Sequence, residues 1–179
     1  MSNPSDDLLT FTRLSGEVQK EYAQKADDPW KASPFQWITE RPSRQKGAIG
    51  ERLVAAWARE VGFSVSRPSD TGHDCVIAGV RVEVKFSTLW ANGGYKFQQL
   101  RDQSYDVAAL LGIQPQSVQL WIVPKETLWG EAVGQHTGAE AQDTKWLSFP
   151  AAAPPGWLDP YGGSLEKAKQ SLEKARSRS

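Results

Sequence analysis

Two acidic residues and a lysine lie on two short β-rich runs that only two residues separate. The first run carries Asp74, the second carries Glu83 and Lys85, and Ala78-Gly79 stands between them. A small pair that includes glycine at such a junction favours a two-residue hairpin loop. Carboxylates and an ammonium gathered on one hairpin could hold a hard metal ion beside a catalytic amine.

The hairpin predicts a definite register. With a two-residue loop, Ile77 pairs with Val80. The pairing continued outward places Asp74 opposite Glu83 on one face, with Cβ atoms about 4.5–5.5 Å apart. Lys85 lies two residues beyond Glu83 and therefore projects from the same face. Opposed carboxylates repel each other, so this arrangement favours a sheet only when a cation lies between them.

The run Glu83-Val84-Lys85 also has an ordinary structural explanation. Any half-buried strand alternates apolar and polar side chains, and a motif of three residues matches many sequences by chance. The facing Asp74 favours the functional interpretation, because a random surface would more often place a neutral or basic residue opposite Glu83.

Glu51 belongs to a helix that the sequence predicts from about Ala48 to Glu60. In the first turn of that helix the helix dipole alone favours an acidic residue. A structural and a functional interpretation of Glu51 are therefore equally open. The preceding Gly47 and Gly50 are expected to permit close backbone approach.

His73 and Cys75 flank Asp74 in the sequence. Because successive strand residues point to opposite faces, both are expected to face away from the acidic residues. We interpret His73 as a packing or hydrogen-bonding residue and Cys75 as a small buried apolar residue. Asp70 could supplement a metal site, although Ser69-Asp70-Thr71-Gly72 is more simply a turn.

The composition predicts one folded domain without a membrane span. The chain has 179 residues, 39% of them apolar, and eight tryptophans, enough for one sizeable core. Its 21 basic and 21 acidic residues balance, so a nucleic-acid-binding surface would need basic residues concentrated on one side. A single cysteine excludes an internal disulfide and a cysteine-rich zinc site. No run approaches the ~20 apolar residues of a membrane helix, and the polar first residues are no signal peptide, so we expect a cytoplasmic protein.

Hydrophobic periodicity predicts helices at both ends of the chain and strands in its middle. An amphipathic helix is expected over residues 5–26, and buried strands over the apolar runs 106–113 and 118–123. The other predicted elements are a short helical or irregular piece over 97–104, a helix over 125–133, an edge strand over 145–149 and a charged helix over 165–178. The last helix has little apolar surface and is expected to pack weakly or to stay solvated. This order of elements predicts an α/β core with a mixed sheet.

Glu51, Asp74 and the run Glu83-Val84-Lys85 together resemble the PD-(D/E)xK nuclease superfamily, which has the restriction-endonuclease-like fold. The resemblance rests on a glutamate in the first core helix, an aspartate that starts one strand and Glu-x-Lys on the next strand. The proline that gives the motif its first letter is absent, and His73 stands before Asp74.

The resemblance implies a restriction-endonuclease-like α/β core over residues 47–125, with a mixed central β-sheet flanked by helices. Residues 1–46 would form an N-terminal helical extension, and residues 126–179 would form a C-terminal accessory segment with a C-terminal helix. All three parts would belong to a single domain.

The resemblance also implies Mg²⁺-dependent hydrolysis of phosphodiester bonds in DNA, with Mn²⁺ as a substitute. Asp74, Glu83 and the backbone carbonyl of Val84 would hold the ion, consistent with the preference of Mg²⁺ for oxygen ligands. Lys85 would orient or help to deprotonate the attacking water and stabilise charge on the phosphate. Glu51 would bind a second ion or hold a water in the outer shell, and one-metal and two-metal schemes are equally open.

Residues 87–101 follow the predicted catalytic strand and are the expected DNA-contacting segment. Arginine, lysine, asparagine and glutamine are the side chains that grip phosphates or read base edges. The candidates in this segment are Asn92, Tyr95, Lys96, Gln98, Gln99 and Arg101. Arg44 and Lys46, which precede the predicted helix, could add phosphate contacts. An ordinary long surface loop is an equally open interpretation.

These expectations define three competing functions. The first is a site-specific endonuclease of restriction type that cleaves double-stranded DNA, for which a homodimer would supply two active sites. The second keeps the active site in a structure-selective repair, recombination or nicking nuclease. The third is a DNA-binding module with the same fold and no cleavage, against which the intact Asp74, Glu83 and Lys85 argue.

Overall fold

A central mixed sheet organises the fold. A computed structural model describes residues 4–23, 28–68, 70–132 and 144–178 of the chain. The sheet contains β1 (Val65–Ser66), β2 (Cys75–Ile77), β3 (Val80–Thr88), β5 (Val107–Gln114) and β6 (Ser117–Pro124). Strand β4 belongs to a second sheet. They lie in the order β1-β2-β3-β5-β6; β3 and β5 run parallel, and the other neighbours run antiparallel. The predicted mixed α/β sheet is confirmed, and β5 and β6 occupy the two predicted apolar runs.

The hairpin of β2 and β3 has the predicted two-residue loop. Ala78 and Gly79 both have positive φ, 50° and 88°, as in the type I′ turn that matches the twist of paired strands. Ile77 pairs with Val80, so the predicted register is confirmed. Glycine adopts a positive φ freely, whereas the Cβ of Ala78 makes that conformation costly.

Two further strands form a separate antiparallel ribbon, β4 (Gly94–Arg101) with β7 (Thr144–Pro150). The predicted edge strand is confirmed as β7. The helical or irregular piece predicted in the region of β4 is wrong, because Tyr95, Phe97 and Leu100 anchor an extended strand on an apolar cluster. We call β4 and β7 together the ribbon.

The helices are α1 (Pro4–Ala23), α2 (Gln36–Thr39), α3 (Ser43–Glu60), α4 (Lys125–Glu131) and α5 (Leu165–Arg176), with a 3₁₀ helix over Gly156–Tyr161. α3 begins before the predicted start at Ala48. Pro42 explains the difference, because its carbonyl accepts hydrogen bonds from the N–H groups of Gln45 and Lys46 at 2.9 and 3.1 Å. Its fixed backbone conformation also favours a helix start at this point.

Apolar side chains cover both faces of the central sheet. On one face Val82, Val84 and Ala109 pack in a cluster that includes side chains of α3 and α5. On the other face Ala108 and Leu110 pack in a second cluster that includes the inward side of the ribbon. β5 is therefore buried on both faces, which explains its continuous apolar run.

α5 belongs to the core, which corrects the prediction of a weakly packed or solvated helix. Ala168 and Leu172 are fully buried, and Ser171 Oγ donates a hydrogen bond of 2.8 Å to the carbonyl of Ile122. Small side chains let the helix lie close to β6. A single buried leucine is therefore enough to pack α5 on the sheet without a continuous apolar stripe.

α1 has the predicted amphipathic pattern but exposes its apolar side. Leu8, Leu9 and Phe11 are 68%, 68% and 71% exposed. The end of the predicted helix, residues 24–26, lies outside the described residues. No helix in the described ranges is long and apolar enough to cross a membrane.

Candidate active site

An open cleft of about 790 Å³ brings the predicted site residues together. Its lining includes Asp74 at the start of the hairpin and Glu83 and Lys85 on β3. α3 contributes side chains at one side of the cleft, and β4 contributes side chains at the other. Residues from three separate parts of the chain thus face one solvent-filled space.

Two hydrogen bonds hold Asp74 at the end of the hairpin. Its N–H donates to the carbonyl of Val82 at 3.0 Å, and its Oδ2 accepts from the N–H of Val84 at 2.7 Å. Cys75 pairs with Val82 in the hairpin. Asp74 and Glu83 are the next residues outward on the two strands. The carboxylate therefore has a fixed position next to a second acidic residue.

Glu83 and Lys85 form a buried ion pair on β3. Lys85 Nζ lies 2.8 Å from Glu83 Oε1, and Glu83 is only 6% exposed. Burial raises the pKa of the Glu83 carboxyl above its ordinary value; the Lys85 ammonium lowers that pKa in part, and the Asp74 carboxylate adds to the rise. The Lys85 ammonium therefore offsets only part of the effect of burial on this carboxyl.

Glu51 reaches the same site from the middle of α3. Its pKa is raised by partial burial, then by the negative charges of Asp74 and Glu83. The expectation that Glu51 lies in the first turn of its helix is wrong, because α3 begins at Ser43. The helix dipole therefore gives no structural reason for an acidic residue at Glu51, since its effect is confined to the terminal turns.

Gly50 explains how α3 comes so close to β3. A Cβ at this position would lie 2.5 Å from the Cβ of Phe86, so only glycine allows the observed packing. Gly50 precedes Glu51, and the close approach brings that carboxylate beside the strand that carries Glu83. At Gly47, in contrast, a Cβ would meet no atom within 4 Å, so the close approach expected there is not found.

The donor set fits a hard divalent cation. Asp74 and Glu83 offer carboxylate oxygens, which Mg²⁺ prefers over nitrogen or sulfur ligands. Burial raises the pKa of both Glu51 and Glu83, and neighbouring carboxylates add to the rise, so a cation among these groups would favour their ionised forms. Within the described ranges, no three histidine, cysteine, aspartate or glutamate side chains form a ready-made metal-holding group.

The predicted DNA-contacting residues divide into those that line the cleft and those that do not. Arg44 and Lys46 on α3 and Lys96, Gln98 and Gln99 on β4 all line it. Positive side chains therefore occur on both sides of the acidic site. Basic residues are thus concentrated at this cleft although the overall charge of the chain is balanced.

Tyr95 is not available to contact DNA, which corrects its prediction as a DNA-binding residue. Its side chain is fully buried, and it packs over Gly112, where a Cβ would lie 2.5 Å from the tyrosine Cζ. Strand alternation turns Tyr95 inward while its neighbour Lys96 faces the cleft. The aromatic ring serves the core and anchors the ribbon.

Asn92 and Arg101 lie at the two ends of the predicted DNA-contacting segment. Asn92 is exposed, but its Oδ1 accepts a hydrogen bond of 3.1 Å from the N–H of Gly94, so it shapes the turn before β4. Arg101 is exposed at the end of β4, and its charge offsets a small part of the rise that burial causes in the pKa of Glu83. Neither residue is part of the cleft lining.

The residues that flank Asp74 have the structural roles that their alternation predicts. His73 is buried, and its Nδ1 lies 3.3 Å from Asp70 Oδ1 without forming a hydrogen bond. Asp70 Oδ1 accepts a hydrogen bond of 2.7 Å from the N–H of Gly72, as in a turn. Cys75 is buried, and burial raises the pKa of its thiol to about 11. A thiol of that pKa stays protonated and is a poor nucleophile.

Trp146 is a residue near the cleft that the sequence does not indicate. The ammonium of Lys96 lies 4.9 Å from the centre of the Trp146 ring and 5.3 Å from the centre of the Trp90 ring. Trp146 belongs to β7, far along the chain from β4. Only the pairing of β4 with β7 brings Trp146 to Lys96, and no pattern of neighbouring residues in the sequence predicts that pairing.

The comparisons with known proteins yield a likeness of fold. No protein-family model matches this chain, and no curated protein matches it. The solved structure of a bacterial homing endonuclease, I-Ssp6803I, resembles this chain with a TM-score of 0.52 and 17% sequence identity. The match covers 77% of this chain and 99% of that chain. The mixed sheet flanked by helices is therefore a fold that this chain has in common with a nuclease.

Proposed function

We propose that this protein is a Mg²⁺-dependent, site-specific endonuclease that hydrolyses phosphodiester bonds in double-stranded DNA, with Mn²⁺ able to replace Mg²⁺. One observation carries the proposal: Asp74, Glu83 and the Lys85 ammonium share a cleft with basic residues on both sides. The likeness of fold to a homing endonuclease supports the same class of reaction.

Asp74, Glu83 and the carbonyl of Val84 are the proposed ligands of the ion. When bound, the ion polarises the scissile phosphate and lowers the pKa of water. Lys85 lies on the same face of β3 as Glu83, so its N–H groups can orient the attacking water and stabilise charge on the phosphate. Glu51 faces the same cleft and holds water or a second ion beside these groups.

The basic residues position the duplex over the acidic site. Arg44 and Lys46 on α3 and Lys96 on β4 are proposed to contact phosphates on the two sides of the cleft. These contacts offset the repulsion between the DNA backbone and the local excess of carboxylates. DNA affinity should consequently fall steeply as the salt concentration rises.

Cleavage of both strands requires two active sites. One protomer contributes a single acidic site, so we propose that a homodimer with two-fold symmetry cuts both strands of a symmetric sequence, as a restriction-type enzyme would. The resemblance to a homing endonuclease favours a second candidate, site-specific cleavage outside restriction. The length and symmetry of the recognised sequence would separate the two.

The test is cleavage of plasmid DNA by the wild type and by two lysine variants. The wild type should give discrete fragments with Mg²⁺ or Mn²⁺ and none with EDTA. Lys85→Ala should abolish cleavage while it leaves DNA binding, measured with Ca²⁺, unchanged. Lys167→Ala changes an exposed lysine on α5 and should cleave like the wild type. Equal activity of Lys85→Ala, or no cleavage by folded wild type with either ion, would disprove the proposal.

A further inference from the structure

The outward side of the ribbon has an irregularity next to the cleft. Phe97 pairs with Leu147 and Leu100 pairs with Lys145, so two residues of β4 stand opposite one residue of β7. The two residues are Gln98 and Gln99, and this arrangement is a β-bulge. Bulges re-aim side chains and are often found beside functional sites.

The bulge keeps both glutamines on the solvent side of the ribbon. Tyr95 and Phe97 face inward, and regular alternation would turn Gln99 inward next. The extra residue shifts the phase, so Leu100 becomes the next fully buried side chain and both glutamines remain exposed. Both of them line the cleft that contains the acidic site.

The backbone at the bulge is strained. Gln99 has φ of 55°, a left-handed conformation that a non-glycine residue adopts only at an energetic cost. Neither the packing of the core nor the hydrogen bonding of the ribbon requires a glutamine at this position, since its side chain is exposed. A glycine at this position would adopt the positive φ without steric strain.

The ribbon is held in a fixed position relative to the proposed catalytic strand. The N–H of Lys96 donates to Ser87 Oγ on β3 at 3.0 Å. The Lys96 ammonium lies near the rings of Trp90 and Trp146, which restricts the lysine to the cleft side of the ribbon. The hydrogen bond to Ser87 thus links the ribbon directly to the strand that carries Lys85.

We propose that the outward side of the ribbon enters a groove of the DNA duplex and that Gln98 and Gln99 read base edges beside the scissile phosphate. The major groove accommodates a two-stranded antiparallel ribbon, and the carboxamide of glutamine matches the paired donor and acceptor of adenine. Lys96 grips a backbone phosphate and sets the depth of the ribbon. This inference rests on the proposed endonuclease function and assigns its specificity to an element of the structure.

Replacement of Gln99 by glycine separates recognition from structure. Gln99→Gly relieves the unfavourable φ, so the variant should unfold at the same or a higher temperature than the wild type. If Gln99 has only a structural role, base preference should stay unchanged. If it reads a base, preference should fall although the fold is more stable.

The experiment sequences the ends of fragments cut from a randomised DNA library by the wild type, Gln98→Ala, Gln99→Gly and Gln170→Ala. At least one of the two β4 variants should lose preference for an adenine near the cut by about tenfold among the fragments that it produces. Gln170→Ala, on α5, should match the wild type. Unchanged base preferences in both β4 variants would overturn the inference and leave the nuclease proposal intact. A folded wild type that cuts nothing would overturn both.

Discussion

β3 carries two ion pairs that differ in almost every physical respect. Arg81 and Asp106 form an exposed pair in which Arg81 Nη2 lies 2.6 Å from Asp106 Oδ1, and the N–H of Arg81 donates to Asp106 Oδ2 at 2.8 Å. Glu83 and Lys85 follow Arg81 on the same strand and form a buried pair, with one contact of 2.8 Å between Lys85 Nζ and Glu83 Oε1. The first pair satisfies both oxygens of its carboxylate with protein donors.

The carboxyl groups of the two pairs have pKa values shifted in opposite directions. The hydrogen bond from the Arg81 side chain lowers the pKa of Asp106, which means that the fold stabilises this anion. Burial raises the pKa of Glu83 despite Lys85, which means that the fold destabilises that anion. The first pair closes the end of β5 onto β3, whereas in the second pair the ammonium only partly offsets the effect of burial, to which the Asp74 carboxylate adds. Carboxyl groups with a pKa perturbed in this way are concentrated at functional sites, which makes Glu83 the candidate for a chemical role on this strand.

The largest expected effect comes from loss of the Asp74 carboxylate. Asp74→Asn keeps an oxygen that can accept the hydrogen bond from the N–H of Val84, so the hairpin should persist. Cleavage should fall at least about a hundredfold, because a charged group at the reacting centre is lost. Rates of plasmid cleavage at saturating Mg²⁺ measure the effect. Asp159→Asn, at an exposed aspartate of the 3₁₀ helix, is the matched control and should retain full activity.

Glu51→Gln should lower cleavage less, by about 10–100-fold, as expected of a group that supports the reacting centre from its edge. Without a divalent ion, the same variant should be more stable than the wild type at neutral pH. The pKa of Glu51 is higher in the folded state than in the unfolded state. Its carboxyl therefore stabilises the fold at a pH below the unfolded pKa, and this contribution is lost as the pH rises through the folded pKa.

Thermal unfolding in EDTA across pH 4 to 8 tests this expected pH dependence of the stability of Glu51→Gln. The advantage of the variant should vanish at the acid end, near the ordinary glutamate pKa of about 4.3. Mg²⁺ should raise the unfolding temperature of the wild type more than that of Glu51→Gln. Glu173→Gln, on α5, should respond to Mg²⁺ as the wild type does. A variant less stable than the wild type at neutral pH would contradict the idea of uncompensated charge.

Asp106→Asn should have the opposite profile, with lower stability and unchanged chemistry. Loss of the paired charge should cost about 1 kcal/mol in the free energy of unfolding, because the pair is partly exposed to solvent. The lowered pKa of Asp106 means that its contribution is present above the ordinary aspartate pKa and lost as pH falls through the folded value. The difference from the wild type should therefore shrink in acid.

Urea unfolding at several pH values measures the effect of Asp106→Asn, and the cleavage rate per folded molecule provides the second measurement. A large loss of that rate would mean that the two ion pairs of β3 are coupled. The contrast between a structural pair and a catalytic pair would then fail.

The smallest expected effect concerns the turn that sets the register of both pairs. Ala78→Asn should raise the free energy of unfolding by about 0.5–1 kcal/mol, because asparagine tolerates positive φ and Asn-Gly favours the type I′ turn. Chemical denaturation measures the gain, and cleavage should stay at the level of the wild type. Ala153→Asn, at an exposed alanine outside the hairpin, should give no comparable gain. A destabilised Ala78→Asn would contradict the assigned turn type.

Local patterns were sufficient to predict the hairpin and the buried strands. The loop Ala78-Gly79 determines a register by itself, and the apolar runs of β5 and β6 reflect burial on both faces. The convergence of Asp74 and Glu83 follows from that register alone. These features depend on neighbours in sequence, so they leave a signal in a short window.

The features that sequence reasoning missed depend on distant parts of the chain. β4 was not predicted as a strand because its partner β7 lies more than forty residues away and its bulge interrupts the alternation. The burial of α5 depends on small residues such as Ala168, which leave no hydrophobic stripe. The inward position of Tyr95 follows from the empty space above Gly112, which only the folded sheet reveals.

Gly112 gives the ribbon a dependence on a residue that no substrate could touch. The ring of Tyr95 occupies the space that any side chain at Gly112 would need. A methyl group added there would lift the strand that carries Lys96 and both glutamines, and would change the width of the cleft from beneath. Under the proposed role of the ribbon, a substitution in the interior would therefore alter sequence preference, so engineering of this protein could begin beneath the cleft.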